Sequence, residues 1–499
     1  MTILDAMHDP ALFGPWFEDR TSWRAWEVFL AALFGLRLDG EEAAELYARH
    51  TGRTVGPNGP VREAWVIVGR RGGKSRIAAL VALYLACFRA YRDLLAPGEV
   101  GTLPVIAADR RQARTVMRYI TGFLDAVPML KAMVTNRTKE TIELSNRVAI
   151  EVHTANFRAV RGYSLIGVVC DEIAFWRSED SANPDTEILT GLRPGMATVP
   201  GAVLIAISSP YARRGALWEA HRKHYGQDGD PVLVWQAPTV AMNPAVDPQV
   251  IADAYAADEA AAVAEYGAEF RRDIESFVSR EAIDAVVIRG RRELPPAAGI
   301  SYRAFVDPSG GSQDSMTLAI AHSGLSGAML DCVREVRPPF KPSEVVAEFA
   351  ATLKAYRISI VTGDRYAGEW PREQFREHGI RYEPADRTKS DLYLDLLPLV
   401  NSEHVELLDH PRLIVQLCSL ERRTARSGRD SIDHTPNGHD DVINAAAGAL
   451  VSVAAAAHRG LAVSSISARS IPRLPGLIEI TNPAHPDYDP RPFRPRRWG

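Results

Sequence analysis

Short apolar runs alternate with helical periodicity along most of this chain. Residues 16–47 carry aromatic and aliphatic side chains at helical spacing, and a turn-rich stretch, 52–60, closes them off. The runs 65–68, 104–107, 165–170 and 203–207 are too short for helices and read as buried strands, with helices at 75–89 and 111–124 between them. Strands buried on both faces and separated by helices predict a parallel sheet with helices on each side. The Ala- and Glu-rich segment 247–272 predicts a helical connector, and Pro295, Pro296 and Gly299 break the pattern. A second alternation follows. Strands are expected at 304–306, 316–322 and 327–334, with Ser323-Gly324 and Ser326-Gly327 marking a hairpin turn. Then come helix 343–356, strand 358–362, helices 371–378 and 389–399, and a last helix running from Asp440 through the small apolar residues 445–457. The Pro- and Arg-rich end beyond 470 is expected to stay unfolded until bound. The expected organisation is an α/β chain divided at 1–245, 246–298, 299–460 and 461–499, without internal repeats.

Composition adds limits. The chain has 499 residues, 46% hydrophobic and 24% charged, enough for two or three ordinary cores. A formal charge of −4 rules out a global basic signature and leaves local ones. Arginines cluster at Arg110, Arg111, Arg114 and Arg118, at Arg213 and Arg214, at Arg289, Arg291 and Arg292, and at Arg422, Arg423, Arg426 and Arg429. Most such clusters are solvated faces. Cys87, Cys170, Cys332 and Cys418 form no C-x-x-C pair, which argues against a zinc site or disulfide framework and suits a reducing compartment. The N-terminus lacks a basic-then-apolar leader, and 445–457 falls short of the roughly 20 residues a membrane span needs.

Two constellations carry chemistry. In the first, Val68-Gly69-Arg70-Arg71-Gly72-Gly73-Lys74-Ser75 follows a strand and opens a helix. Glycines let backbone N–H groups wrap a phosphate, and the helix N-terminus adds partial positive charge. Lys74 is placed for the β and γ phosphates of ATP, and the Ser75 hydroxyl for Mg2+. The strict pattern has glycine where Val68 stands, so a glycine-rich surface turn is the competing reading. The strand 165–170 then ends in Asp171-Glu172, one acid for Mg2+ and one to polarise water, which points to hydrolysis. The strand 203–207 ends in Ser208-Ser209-Pro210, either a γ-phosphate sensor or a capping turn.

In the second constellation, Asp307 and Asp364 follow strands, and Asp440 and Asp441 open the last helix. Such acids converge at one rim of a ribonuclease-H-like sheet. Their repulsion calls for cations, and two Mg2+ or Mn2+ ions about 4 Å apart would activate water against a phosphodiester. Singly, each aspartate reads as a loop or N-cap residue. Asp314 and His439 lie near enough in sequence to support the ligands.

Taken in order, these motifs resemble the large terminase subunit of tailed bacteriophages. The likeness spans about 16–457 and includes Val105-Ile106-Ala107-Ala108-Asp109, Gln112-Ala113 and Val160-Arg161-Gly162 between the phosphate-site motifs. The resemblance implies a P-loop ATPase domain (1–245), a connector (246–298), a ribonuclease-H-like nuclease domain (299–460) and a flexible tail (461–499). It implies ATP-driven translocation of double-stranded DNA into a procapsid, with endonuclease cleavage of concatemeric DNA. Gly69, Arg70, Arg71, Gly72, Gly73, Lys74, Ser75 and Asp171 would bind nucleotide and Mg2+, Glu172 would be the catalytic acid, and Ser208 and Ser209 would couple hydrolysis to motion. Asp307, Asp364 and one of Asp440 and Asp441 would hold the nuclease metals. An arginine finger is expected from Arg70 or Arg71 in cis, or Arg158 or Arg161 in trans. The adenine element is expected near 23–35, where the usual glutamine is absent. Implied partners are a portal protein, a small terminase subunit and other copies of the chain in a ring, usually of five, monomeric in solution or not. The implied setting is the bacterial cytoplasm rather than the mature virion. The competing readings are a helicase or translocase-nuclease of repair or restriction, and an ATPase whose second domain grips DNA without cutting it.

Overall fold

The first alternation folds into a nine-stranded sheet. Its strands are β1 (Glu63–Val68), β2 (Gly101–Ala107), β3 (Val134–Arg137), β4 (Thr141–Leu144), β5 (Val148–Thr154), β6 (Ser164–Leu165), β7 (Gly167–Asp171), β8 (Val203–Ser208) and β9 (Val232–Ala237). The order is β3-β4-β5-β2-β7-β8-β1-β9, with β6 pairing β2. This computed structural model describes residues 1–155, 162–176, 184–312, 314–364, 369–424, 430–435 and 438–467. The six central strands from β5 to β9 run parallel, as the apolar runs predict. The antiparallel edge β3-β4-β5 escapes the sequence pattern because β3 is mostly exposed and β4 only half-buried.

Alternation within β1 serves two cores. Ala64, Val66 and Val68 face a cluster with Trp26, Phe29 and Leu30 of the helix Arg20–Leu33 and with Ile120 and Phe123. Trp65 and Ile67 face Ile188, Leu192 and Leu217 on the other side. The helix Lys74–Phe88 lies on the first face, buried on nearly every side from Ile77 to Ala86. Each buried Ile, Leu or Val side chain there contributes about 1.5–3 kcal/mol.

The parallel order has one consequence for chemistry. β8 lies between β1 and β7. The residues that leave these three strands at one rim are therefore the glycine loop, Ser208-Ser209 and Asp171-Glu172, side by side.

The stretch read as a helical connector contains the helices Pro248–Ala257, Glu259–Glu265 and Arg280–Val286. It also contributes β10 (Ile274–Ser276) and β11 (Val287–Ile288), which pair with later strands. These strands are β12 (Tyr302–Asp307), β13 (Met316–Ser323), β14 (Ala328–Val336), β15 (Ile360–Gly363), β16 (Arg381–Pro384), β17 (Val405–Leu408), β18 (Leu420–Thr424) and β19 (Asp430–His434). A seven-stranded mixed sheet has the order β11-β17-β14-β13-β12-β15-β16, and β10-β18-β19 form a small separate sheet. β12, β13 and β14 are antiparallel, whereas β15 and β16 join β12 in parallel, the arrangement expected of a ribonuclease-H-like sheet. The β13–β14 turn is closed by the Gly324 N–H donating to Gly327 O at 2.8 Å. Gly327 has φ 137°, and a Cβ there would stand 2.0 Å from His404 O, so no other residue fits.

The helix Asp441–Ser467 crosses this sheet over β12, β13 and β14. Gly448 lets it approach closely: a Cβ at that position would lie 2.2 Å from the Phe305 ring. This approach brings the start of the helix to the end of β12. The helix starts one residue later than expected, so Asp440 precedes it. The tail beyond 467 lies outside the described residues.

Candidate phosphate site and acidic centre

The loop after β1 needs its glycines for space. Gly73 takes φ 92°, and a Cβ on Gly69 would sit 2.2 Å from Thr239 Oγ1. The loop carbonyls are held from outside. Trp26 Nε1 donates to Gly72 O at 2.8 Å, Thr239 Oγ1 to Arg70 O at 2.8 Å, and Asn243 Nδ2 to Arg71 O at 2.7 Å. No side chain caps the N-terminus of the helix Lys74–Phe88, and its dipole favours an anion there. Trp26 belongs to the segment expected to bind adenine; here it braces the loop.

Lys74 is 7% exposed, an unusual seat for an ammonium. Its Nζ donates to Val68 O (2.7 Å), Gly69 O (3.2 Å) and Ser209 Oγ (2.8 Å), and lies 3.7 Å from Glu172 Oε1. Burial lowers its pKa, and the charges of Glu172 and Asp171 push it back up. Ser75, half-buried, sits on the same first helical turn. Asp171 ends β7 and is 4% exposed; burial, then the neighbouring Glu172 charge, raise its carboxyl. A divalent cation beside Asp171 would relieve that penalty, so the donor set of Asp171 and Ser75 fits Mg2+.

Glu172 adopts φ 49° and ψ 47°, a left-handed conformation uncommon for a non-glycine residue. The turn aims its carboxylate back at β8. Glu172 Oε2 accepts from Ser208 Oγ and from Ser209 N–H, both at 3.1 Å. Lysine, acid and serines therefore form one hydrogen-bonded set. Of the four finger candidates, Arg70 pairs with Glu265 at 3.1 Å and Arg71 is exposed with φ 62°. Arg158 and Arg161 lie outside the described residues.

In the second unit, Asp307 ends β12 and Asp364 follows β15, its neighbour in the sheet. The half-buried Asp307 carboxyl is pushed well above the usual range by desolvation. A hydrogen bond from Asn444 Nδ2 (2.8 Å) opposes this, and the charges of Asp441, Asp364 and Asp440 add to it. Asp441 is pushed up to about 6 by burial and then by Asp440; its Oδ2 accepts from Ser315 N–H at 3.3 Å. Asp440 is engaged differently. Its Oδ2 accepts from Tyr393 OH and from Lys389 Nζ, each at 2.9 Å. His439 Nδ1 lies 3.6 Å from Asp314 Oδ1, both exposed. The mutually repelling acids fit divalent cations by charge. Among the described residues, however, no three acidic, histidine or cysteine side chains stand grouped tightly enough to hold one ion.

That electrostatic strain has a measurable sign. A cation binds the ionised carboxylate, so below about pH 6 it must displace the proton on Asp441. Mn2+ affinity is expected to rise by at least about tenfold per pH unit as pH rises toward 6, one power of ten for each proton displaced. Calorimetric titration at pH 5, 6 and 7 checks this; an affinity independent of pH would contradict it.

Several residues around the two sites carry no signal in the sequence. Trp26, Thr239 and Asn243 act across long separations, as do Tyr393, Lys389 and Ser315. Asn444 was within reach, because it follows Asp441 by three positions on one helical face.

Fold and sites together describe a phosphate-loop α/β unit followed by an acid-rimmed mixed-sheet unit. No family model matches the chain, and no curated protein matches it. Among solved structures it is similar to the large terminase of bacteriophage HK97, with 17% identity, 86% of this chain and 100% of that chain covered, and a TM-score of 0.36. It is also similar to the large terminase nuclease from thermophilic phage G20c with bound magnesium (19% identity, 35% and 96% covered, TM-score 0.31). A further similar structure is a large terminase from a thermophilic bacteriophage in complex with ADP (12% identity, 85% and 98% covered, TM-score 0.37).

Proposed function

We propose that this chain is a large terminase subunit, an ATP-driven motor that moves double-stranded viral DNA into a procapsid and a metal-dependent endonuclease that cuts concatemeric DNA. The observation that carries the reading is the bonded set of Lys74, Glu172, Ser208 and Ser209, on a chain that also buries an acidic centre on a second sheet.

Gly69, Arg70, Arg71, Gly72 and Gly73 wrap the phosphates of ATP with Lys74, and Ser75 and Asp171 hold Mg2+. Glu172 accepts the proton of the water whose oxygen attacks the γ-phosphorus, and ADP leaves. Lys74 then loses its phosphate partner, and its bond to Ser209 shifts with it. The next residues but one carry the change outward. Tyr211 OH donates to Glu421 Oε2 at 2.8 Å, a fully buried acid on β18 that also pairs with Arg214. An arginine finger completes the site, worth about 10³–10⁵ in rate by analogy with other P-loop enzymes.

At the acidic centre, Asp307, Asp364 and Asp441 would hold Mg2+ or Mn2+, while Lys389 and Tyr393 keep Asp440 beside them. Divalent ions there would supply an activated water and neutralise the phosphodiester. The working assembly is a ring on a portal protein, supplied with DNA by a small terminase subunit, in the cytoplasm of the bacterial host and absent from the mature virion. The motor and nuclease divide at 1–245 and 299–460.

The test is displacement of a third-strand oligonucleotide from linear duplex DNA by the full chain. Displacement should require ATP, and duplex DNA should raise the rate of hydrolysis. Hydrolysis indifferent to DNA, with no displacement, would sink the motor reading.

A further inference from the structure

The arginine clusters seen in the sequence meet different fates. Arg289 pairs with Asp284 and Arg291 with Glu406, each at 2.7 Å. Arg422 pairs with Asp430 at 2.9 Å, Arg423 with Glu421 at 3.2 Å, and Arg214 with Glu421. Arg213 lies over the Trp218 ring. These charges are paired or stacked within this chain.

The cluster on the helix Arg110–Ala126 is an exception. Arg114 and Arg118 stand one turn apart on its exposed side. Neither forms an ion pair with a described residue; Arg118 only donates to Thr115 Oγ1, at 3.3 Å. Like charges at this spacing weaken a helix. Lys139, in the turn between β3 and β4, faces the same space and has no ion pair either. The three cations line a groove of about 580 Å³ whose floor is Met117 and Ile142. Both floor residues are buried, at 6% and 1% exposure, and among the described residues no aromatic side chain of the kind that anchors protein partners lines the groove. Thr121 adds a hydroxyl to the wall. Unpaired cations on two elements, with a hydroxyl and without an aromatic anchor, match the contacts that grip a phosphate backbone.

We propose that this groove, at the β3–β4 edge of the first sheet and away from the phosphate loop, binds the phosphodiester backbone of duplex DNA without regard to sequence. The inference rests on the packaging reading and names one surface through which the motor unit holds its DNA. Three phosphate contacts set the slope of log affinity against log salt at about 0.9 each.

The test is fluorescence anisotropy of a labelled mixed-sequence duplex with the full chain, from low to moderate salt. The triple variant Arg114→Ala, Arg118→Ala, Lys139→Ala should bind more weakly at low salt. Its slope should be shallower by about 2.7, equally on two unrelated sequences, with basal ATP turnover unchanged. Exchanging Arg114 and Arg118 for lysine should keep the slope. An unchanged slope and affinity in the triple variant would overturn the proposal. So would a variant that loses only self-association in sedimentation, because the groove would then belong to a protein contact. If the wild-type chain binds no duplex at any salt, the packaging reading itself fails, a result distinct from either.

Discussion

Replacing Glu172 with glutamine should leave ATP bound and stop its hydrolysis. The amide keeps the size of the carboxylate, and its oxygen can still accept from Ser208 Oγ and Ser209 N–H, which now bond Glu172 Oε2 at 3.1 Å. What it loses is the ability to take a proton from water. A positioned general base is worth roughly 10² to 10⁴ in rate, so turnover should fall at least about a hundredfold. Nucleotide affinity should stay within a few-fold, because Lys74 and the glycine loop are untouched. The paired measurements are steady-state phosphate release and equilibrium binding of a fluorescent ATP analogue. Hydrolysis near the wild-type rate would remove Glu172 from the chemistry and leave its left-handed turn as a purely structural feature. Loss of both binding and turnover would instead mean that the Glu172–Ser209 contact holds the loop together.

The second large effect has two readouts of opposite sign. Asp307→Asn should abolish DNA cleavage and make the metal-free protein more stable. Burial disfavours the ionised carboxylate of Asp307, and Asp441, Asp364 and Asp440 repel it further. The sign follows from linkage. The folded pKa is raised, so the acid costs the native state least below its ordinary value near 3.8, and stability is lost as pH rises from there toward the folded pKa. At neutral pH the neutral amide avoids that cost while still accepting from Asn444. Cleavage, in contrast, loses a ligand whose metal supplies several kcal/mol of transition-state stabilisation, at least about a hundredfold in rate. Plasmid nicking with Mn2+ and thermal unfolding without metal test the two halves. A variant that nicks DNA normally would exclude Asp307 from the metal site. A less stable variant would show that Asp307 matters chiefly through its bond with Asn444. Asp364→Ala should also stop nicking while leaving ATP hydrolysis intact.

Much of the candidate site was legible before any coordinates. A buried strand, a glycine-rich turn and a helix start are local features, and Gly69 to Ser75 displays them in order. Acids immediately after apolar runs, as at Asp171, Asp307 and Asp364, mark strand ends by the same local logic. Less legible were elements without a clear pattern. The strands β3, β4, β16 and β17 are short, half-exposed or polar, so their pairing comes from neighbours rather than from their own periodicity. The Ala-rich segment after 247 showed its helices, yet β10 and β11 are strands of three and two residues, too short to show any period.

By itself, the sequence of this protein determined its two α/β alternations, the phosphate loop and the positions of the acids, because backbone preference and burial pattern act over a few neighbouring residues. The tertiary structure alone decided which of those positions meet. Strand order seats β8 between β1 and β7, and so joins Ser208 and Ser209 to Lys74 and Glu172. The close packing of Gly448 on Phe305 brings Asp441 to Asp307, while Tyr393 and Lys389 claim Asp440. It also separated arginines that look alike in sequence, pairing Arg70 with Glu265 and leaving Arg114 and Arg118, over a groove, without an ion pair among the described residues. These outcomes depend on contacts between residues up to some two hundred positions apart, and no local pattern records such contacts.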